Sequence, residues 1–182
     1  MDNSKELKTI SLCTGYGGLE LGIELLGEQR IRHILICEIE AFAIATNLEK
    51  MQKGQMVSCP MWTNLKTLCA KPFRGHTDLL TAGFPCQPFS KAGSYKADQD
   101  ERHLFPDILR IIDECRPTRV FFENVEGLIA TKLQTGESAL KYVLRSLGER
   151  GYRTAWTISS AIEAGAKHQR KRVFILGNLS DT

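Results

Sequence analysis

The residue best placed for covalent chemistry in this chain is a cysteine set between two prolines. Gly83-Phe84-Pro85-Cys86-Gln87-Pro88-Phe89-Ser90 closes the apolar run TDLLTAGF and opens a polar loop. A cysteine that only fills a core sits inside an apolar run and is inert, whereas Cys86 follows the run, which reads as a nucleophile. A second apolar run ends in Phe121-Phe122-Glu123-Asn124-Val125. Glu123 either caps a helix there or, as a partly desolvated carboxyl, protonates a ring nitrogen and so helps a weak electrophile. The densest basic run, Lys167-His168-Gln169-Arg170-Lys171-Arg172, precedes the apolar VFILG. It is either a solvated patch or a set of cations for phosphate or a polarised carbonyl oxygen.

Two further features suggest a cofactor. Cys13-Thr14-Gly15-Tyr16-Gly17-Gly18-Leu19-Glu20 is a glycine-rich turn that opens a helix, and glycine permits tight turning and close backbone approach to a ligand. Roughly 20 residues past the turn stands Cys37-Glu38, where a carboxylate commonly grips ribose hydroxyls. Turn and acid together favour an adenosine-containing cofactor over a solvated charge at a helix start. They do not separate a nicotinamide dinucleotide from S-adenosylmethionine, since both offer a ribose.

The elements that must position these groups alternate along the chain. TISLC, HILIC, TDLLTAGF, TRVFFEN and RVFILG read as strands. Leu19, Ile23 and Leu26, then Leu104, Ile108, Ile111 and Ile112, then Leu140, Val143, Leu144 and Leu147 repeat at helical spacing. Strands apolar on both faces and alternating with helices predict an α/β, Rossmann-like fold, a mostly parallel sheet with helices on both faces. Ligands in such sheets bind beyond the carboxyl ends of the strands, so the informative residues are those just after each apolar run. The stretch from about Pro85 to Arg102 reads as a functional loop, and Gly54 to Gly75 resists assignment.

Composition narrows the class. A chain of 182 residues, 42% hydrophobic, can bury one core but is short for two, so a single domain over 1–182 is expected. No run approaches the roughly 18 apolar residues of a membrane span, and MDNSKELKT lacks the apolar stretch of a signal peptide, so no membrane partner and a cytoplasmic location are expected. The six cysteines, Cys13, Cys37, Cys59, Cys69, Cys86 and Cys115, form no CxxC pair, which argues against a zinc knuckle and for reduced thiols. A net charge of +3 does not by itself imply nucleic acid.

In order along the chain, GYGG, CEIE, GFPCQPFS, FFENV and HQRKRVF resemble the motifs of the DNA cytosine-5 methyltransferases, and the match covers nearly the whole sequence. The resemblance implies S-adenosylmethionine as cofactor and DNA as partner. It implies that Cys13, Gly15, Gly17, Gly18 and Leu19 bound the cofactor pocket, that Glu38 takes the ribose hydroxyls, and that Ile39 packs on adenine. Gly83, Pro85 and Leu104 would line the remainder. Cys86 would attack carbon-6 of cytosine, Glu123 would hold ring nitrogen 3, and Arg170 and Arg172 would contact the cytosine carbonyl and nearby backbone. Gln87, Ser90, Lys91, His168 and Lys171 would face nucleic acid.

The sequence departs from the family pattern at several points. Cys13 stands where phenylalanine is usual and Ser11 where an acid is usual. Asn64 replaces a common aspartate, although its amide oxygen can still accept a bond from the adenine amino group. Lys167 replaces a frequent proline. The family continues past the segment of Gly177 into a target-recognition region and a closing cofactor-binding segment, so a second polypeptide supplying target recognition is expected. The alternatives are a non-catalytic module of the same fold, an RNA cytosine methyltransferase, and a nicotinamide dehydrogenase that would leave Cys86 and the basic run without roles.

Overall fold

The computed structural model describes residues 5–27, 29–85, 104–133 and 135–180. Its strands are β1 (Lys5–Leu12), β2 (Gln29–Cys37), β3 (Met61–Trp62), β4 (Leu79–Ala82), β5 (Arg119–Val125), β6 (Tyr152–Ser160) and β7 (Lys171–Leu179). Its helices are α1 (Gly18–Glu24), α2 (Ala41–Gln52), α3 (Phe105–Cys115), α4 (Gly127–Ala130) and α5 (Ala139–Gly148). The strands form one sheet in the order β3-β2-β1-β4-β5-β7-β6. The first five in that order run parallel, and β7 lies antiparallel to both β5 and β6. The chain therefore moves outward from β1 through β2 to β3, then returns to lay β4 on the other side of β1. That reversal is the switch point where open α/β sheets hold ligands.

Alternation along β5 separates the two faces. Val120, Phe122 and Asn124 are buried, while Phe121, Glu123 and Val125 point the other way. On the first face Ile10, Leu12, Leu80, Phe122 and Ile175 pack against α3, α4 and α5. The apolar positions of α3, Phe105, Ile108, Leu109, Ile111, Ile112 and Cys115, are all buried. Pro106 sits in the first turn of α3, where its missing N–H costs nothing, and the helix stops at Arg116, a left-handed residue before Pro117. Phe84, Phe105 and Phe122 meet with centroids 5.4 to 6.4 Å apart, which anchors the residue just before Pro85. The second face is thinner: Leu7, Ile31 and Leu79 are buried under Ile23 of α1 and beside Phe121.

All five apolar runs read as strands lie on strands, with shifted ends, and four parallel pairs against two antiparallel ones make the sheet mostly parallel. The helix expected to reach Leu26 stops at Glu24, leaving Leu26 at 78% exposure. Two elements carry no apolar periodicity. Only Ala43 and Asn47 of α2 are buried, and β6 is an edge strand buried at its two ends, Tyr152 and Ser160. The segment between Gly54 and Gly75 holds β3 and two 3-10 turns, Leu65–Thr67 and Lys71–Phe73.

Gly177 of β7 faces Val120 across the β5–β7 pair, and a Cβ there would meet Val120 Cγ2 at 2.7 Å. Gly177→Ala should therefore overpack the core, costing about 1 to 3 kcal/mol. Chemical denaturation measures this, and an unchanged midpoint would contradict the close approach.

Candidate active site

The glycine-rich turn is built from left-handed residues. Cys13, Gly15 and Gly17 have φ of 50°, 53° and 75°. At the two glycines this costs little; at Cys13 it costs about 1 kcal/mol, which the surrounding bonds must offset. Thr14 supplies several of them. Its N–H donates to the Cys37 carbonyl, its hydroxyl to the Ser11 carbonyl, and its own carbonyl accepts from Gly17 N–H. From α2, Asn47 Nδ2 donates to the Gly15 carbonyl and Lys50 Nζ to that of Tyr16.

Glu38 fixes the turn from the end of β2. It is only 6% exposed and accepts N–H bonds from Gly15 at 2.6 Å, Ile39 at 2.8 Å and Glu40 at 2.9 Å. Glu40, not Glu38, is the residue that precedes the first turn of α2. An ionised carboxylate offers about four acceptor positions, so roughly one stays open, on the Oε2 that faces Gly15.

Beside Glu38 lies a cavity of about 530 Å³ lined by Cys13, Cys37, Ile39, Asn64, Leu65, Gly83, Pro85 and Leu104 among others. Ile39 stands at its rim with 73% of its surface exposed. Asn64 Oδ1 accepts from Lys66 N–H, capping the first 3-10 turn, which commits one of its lone pairs. Cys13 and Gly83 also line a second cavity of about 530 Å³, with Gly15, Gly18, Leu19, Glu20, Glu123, Ser159, Arg170 and Arg172. The two hollows thus meet at the residues following β1 and β4. Gly17 lines neither; it shapes the entry to α1.

In the second cavity Arg172 Nε pairs with Glu123 Oε1 at 2.5 Å, both side chains about a quarter exposed. They reach each other because β7 runs antiparallel to β5 with Arg172 opposite Val125, on the face that Glu123 shares. Arg170 and Arg172 also line a third hollow with His168, Lys171, Glu126 and Gly127, where Lys171 Nζ lies 3.3 Å from Glu126 Oε1. The basic run is therefore gathered at the carboxyl end of β5. Cys86, Gln87, Ser90 and Lys91 lie outside the described residues.

Comparison with known proteins identifies the family. The family model for the C-5 cytosine-specific DNA methylase matches residues 7–182. The chain belongs to that family. It is 31% identical over 175 residues to the Type II methyltransferase M.NgoMIV of Neisseria gonorrhoeae, covering 94% of this chain and 51% of the relative. It is 34% identical over 177 residues to M.DsaV of Dactylococcopsis salina, covering 95% and 46%. Among solved structures, the Dnmt2 methyltransferase of S. pombe superposes with a TM-score of 0.74 at 23% identity, over 97% of this chain and 52% of that one. The chain spans about half the length of these relatives.

Three residues of this chain were not given roles by sequence reasoning. Asn124, buried in the ENV motif, donates from Nδ2 to the Phe84 carbonyl at 3.0 Å and accepts Val125 N–H at 2.8 Å. It ties the end of β5 to the backbone two residues before Cys86. Asn47 and Glu20 are buried too; the acid in the first turn of α1 was a visible signal, while a polar residue within α2 was not.

Four of the described thiols, Cys13, Cys37, Cys59 and Cys115, are poor nucleophiles because burial disfavours the thiolate. Burial pushes Cys13, Cys37 and Cys115 up to about 12, helped at the first two by the nearby Glu38 carboxylate, and Cys59 to about 11. A group whose folded pKa is raised contributes stability below its unfolded value, near 9, and loses it as pH rises toward the folded value. Denaturation midpoints should therefore fall as pH is raised from about 9 to 11, and the fall should be shallower in Cys115→Ala. A flat profile would mean that these thiols ionise as freely folded as unfolded.

Proposed function

We propose that the chain supplies the catalytic and cofactor-binding half of an S-adenosylmethionine-dependent DNA cytosine-5 methyltransferase. The observation that carries this reading is the pair of cavities joined at Cys13 and Gly83, with buried Glu38 at one end and the Glu123–Arg172 pair at the other. The first hollow fits an adenosine: Glu38 keeps an acceptor for a ribose hydroxyl, Ile39 and Leu65 offer apolar surface to a purine, and Asn64 Oδ1 has a lone pair for its amino group. The bound cofactor supplies an electrophilic methyl group.

Cytosine carbon-5 is a weak nucleophile. Addition of the Cys86 thiolate to carbon-6 raises the electron density of the ring and makes carbon-5 a methyl acceptor. Glu123 holds ring nitrogen 3 and delivers a proton there as the adduct forms, and Arg172 holds Glu123 and the cytosine carbonyl oxygen. After transfer, water takes the carbon-5 proton, the thiolate leaves carbon-6, and ring nitrogen 3 returns its proton to Glu123. Asn124, by holding Phe84, orients the backbone that leads to Cys86. A stacked cytosine cannot reach these groups, so the base must be flipped out, at a cost of a few kcal/mol.

Gripping a duplex needs many phosphate contacts, and the described cations of the site are concentrated at Arg170, Lys171 and Arg172. We therefore assign target recognition to polypeptide beyond these residues, in the same chain or in a partner. A soluble setting with access to DNA fits this role, and among the described residues no helix is long and apolar enough to cross a membrane.

The test is transfer of a labelled methyl group to mixed-sequence duplex DNA and, in parallel, to RNA. Cys86→Ser should keep S-adenosylmethionine affinity and lose transfer; transfer at the original rate would rule out the covalent route. Glu38→Ala should weaken the cofactor roughly ten- to a hundredfold, as expected for loss of a bond to a charged acceptor. Unchanged affinity by calorimetry would remove Glu38 from the ribose site.

A further inference from the structure

Glu20 is a carboxylate that neither the turn nor the methyl-transfer chemistry uses. It projects from the first turn of α1 onto the sheet, is 3% exposed, and lines the second cavity. Its Oε1 accepts two hydroxyl bonds, from Ser11 at 2.6 Å on β1 and from Thr81 on β4. Its Oε2 is buried and has no hydrogen-bond partner. Among the described residues no cation forms an ion pair with it, and an unpaired buried carboxylate is costly. His33 lies close enough to feel its charge, but burial lowers the imidazole below its ordinary value and favours the neutral ring. The carboxylate is thus anchored through one oxygen and unsatisfied at the other.

The position of Glu20 identifies what completes it. The adenosine cavity ends at Cys13 and Gly83, and Glu20 lines the hollow that continues from the same two residues. A cofactor with its ribose at Glu38 must extend its amino-acid arm into that hollow. S-adenosylmethionine carries two cationic groups, and the sulfonium has to stay near the reacting base. The α-ammonium is the one free to seek a carboxylate. Resting on the cofactor assignment above, we infer that Glu20 receives the α-ammonium of the cofactor's methionine arm through Oε2, with Ser11 and Thr81 holding the carboxylate in place. The negative charge comes from α1, and Ser11 on β1 supplies a hydroxyl that orients it.

Glu20→Gln isolates this role. Its amide oxygen can keep both hydroxyl bonds while an NH₂ replaces the unpaired oxygen and the charge is lost. Calorimetry on the whole chain would use S-adenosylhomocysteine and its deamino analogue, which keeps the carboxylate but lacks the ammonium. The unaltered protein should prefer S-adenosylhomocysteine roughly ten- to a hundredfold, and Glu20→Gln should erase that preference while leaving affinity for the deamino analogue unchanged. Ser11→Ala, which keeps the charge, should retain most of the preference. Equal binding of the two ligands by the unaltered protein overturns the inference without need of a variant, as does a Glu20→Gln variant that weakens both ligands alike. Failure of the unaltered chain to bind either ligand would instead sink the cofactor assignment itself.

Discussion

The reversal of strand order between β1 and β4 is the constraint on which the rest of this molecule depends. Adjacent parallel strands whose following segments leave in opposite directions cannot close the gap between them, so a crevice forms beyond their carboxyl ends. The residues immediately after these two strands, Cys13 and Gly83, line both hollows of the site. The glycine turn follows β1, Glu38 follows β2 and Pro85 follows β4, while Glu123 lies near the end of β5. The antiparallel return of β7 adds Arg172 to the same edge, because its first residues pair with the last of β5. One topological choice thus brings together residues spread from position 13 to position 172.

Within that crevice rigidity comes from buried polar groups, since there is little apolar surface on the α1 side of the sheet. Glu38 accepts three backbone N–H groups and Asn47 braces the Gly15 carbonyl, so a turn with three left-handed residues has one defined shape. On the opposite wall Asn124 holds Phe84, and the Phe84, Phe105 and Phe122 cluster gives that contact an immobile base. Such pre-organisation matters for covalent catalysis because a displacement of about 1 Å in a reacting group can cost two orders of magnitude in rate.

Elements whose apolar residues are buried with a clear period were legible in the sequence: β1, β2, β4, β5, β7, α3 and α5 all present such patterns. What could not be read was set by tertiary context. The helix α2 buries Ala43 and Asn47 and so has no apolar stripe, and β6 is an edge strand whose middle faces outward. The glycine turn after β1 and an acid after β2 were legible in the sequence, yet that Glu38 is buried against three N–H groups depends on where α2 begins. Glu20 and Asn124 were visible as residue types, but their roles depend on partners from other strands, Ser11 and Thr81 in one case and Phe84 in the other. Spacing along a chain carries no information on such pairings.

The charges of the site divide by depth, and the division follows from solvation. Glu20 and Glu38 are buried, and both are held by hydroxyl or backbone donors without an ion pair to a described cation. Arg170, Lys171 and Arg172 lie at the mouth, where water solvates whatever they do not contact. Neutral donors tolerate burial better than guanidinium or ammonium groups, which carry large desolvation costs. An acidic interior therefore suits hydroxyl and cationic groups, and a basic mouth suits anions. The Glu123–Arg172 pair sits on the boundary, partly exposed on both sides, where each ion can exchange its partner for another polar group at modest cost. A more deeply buried pair would resist that exchange, and a fully exposed one would be too weakly held to direct it.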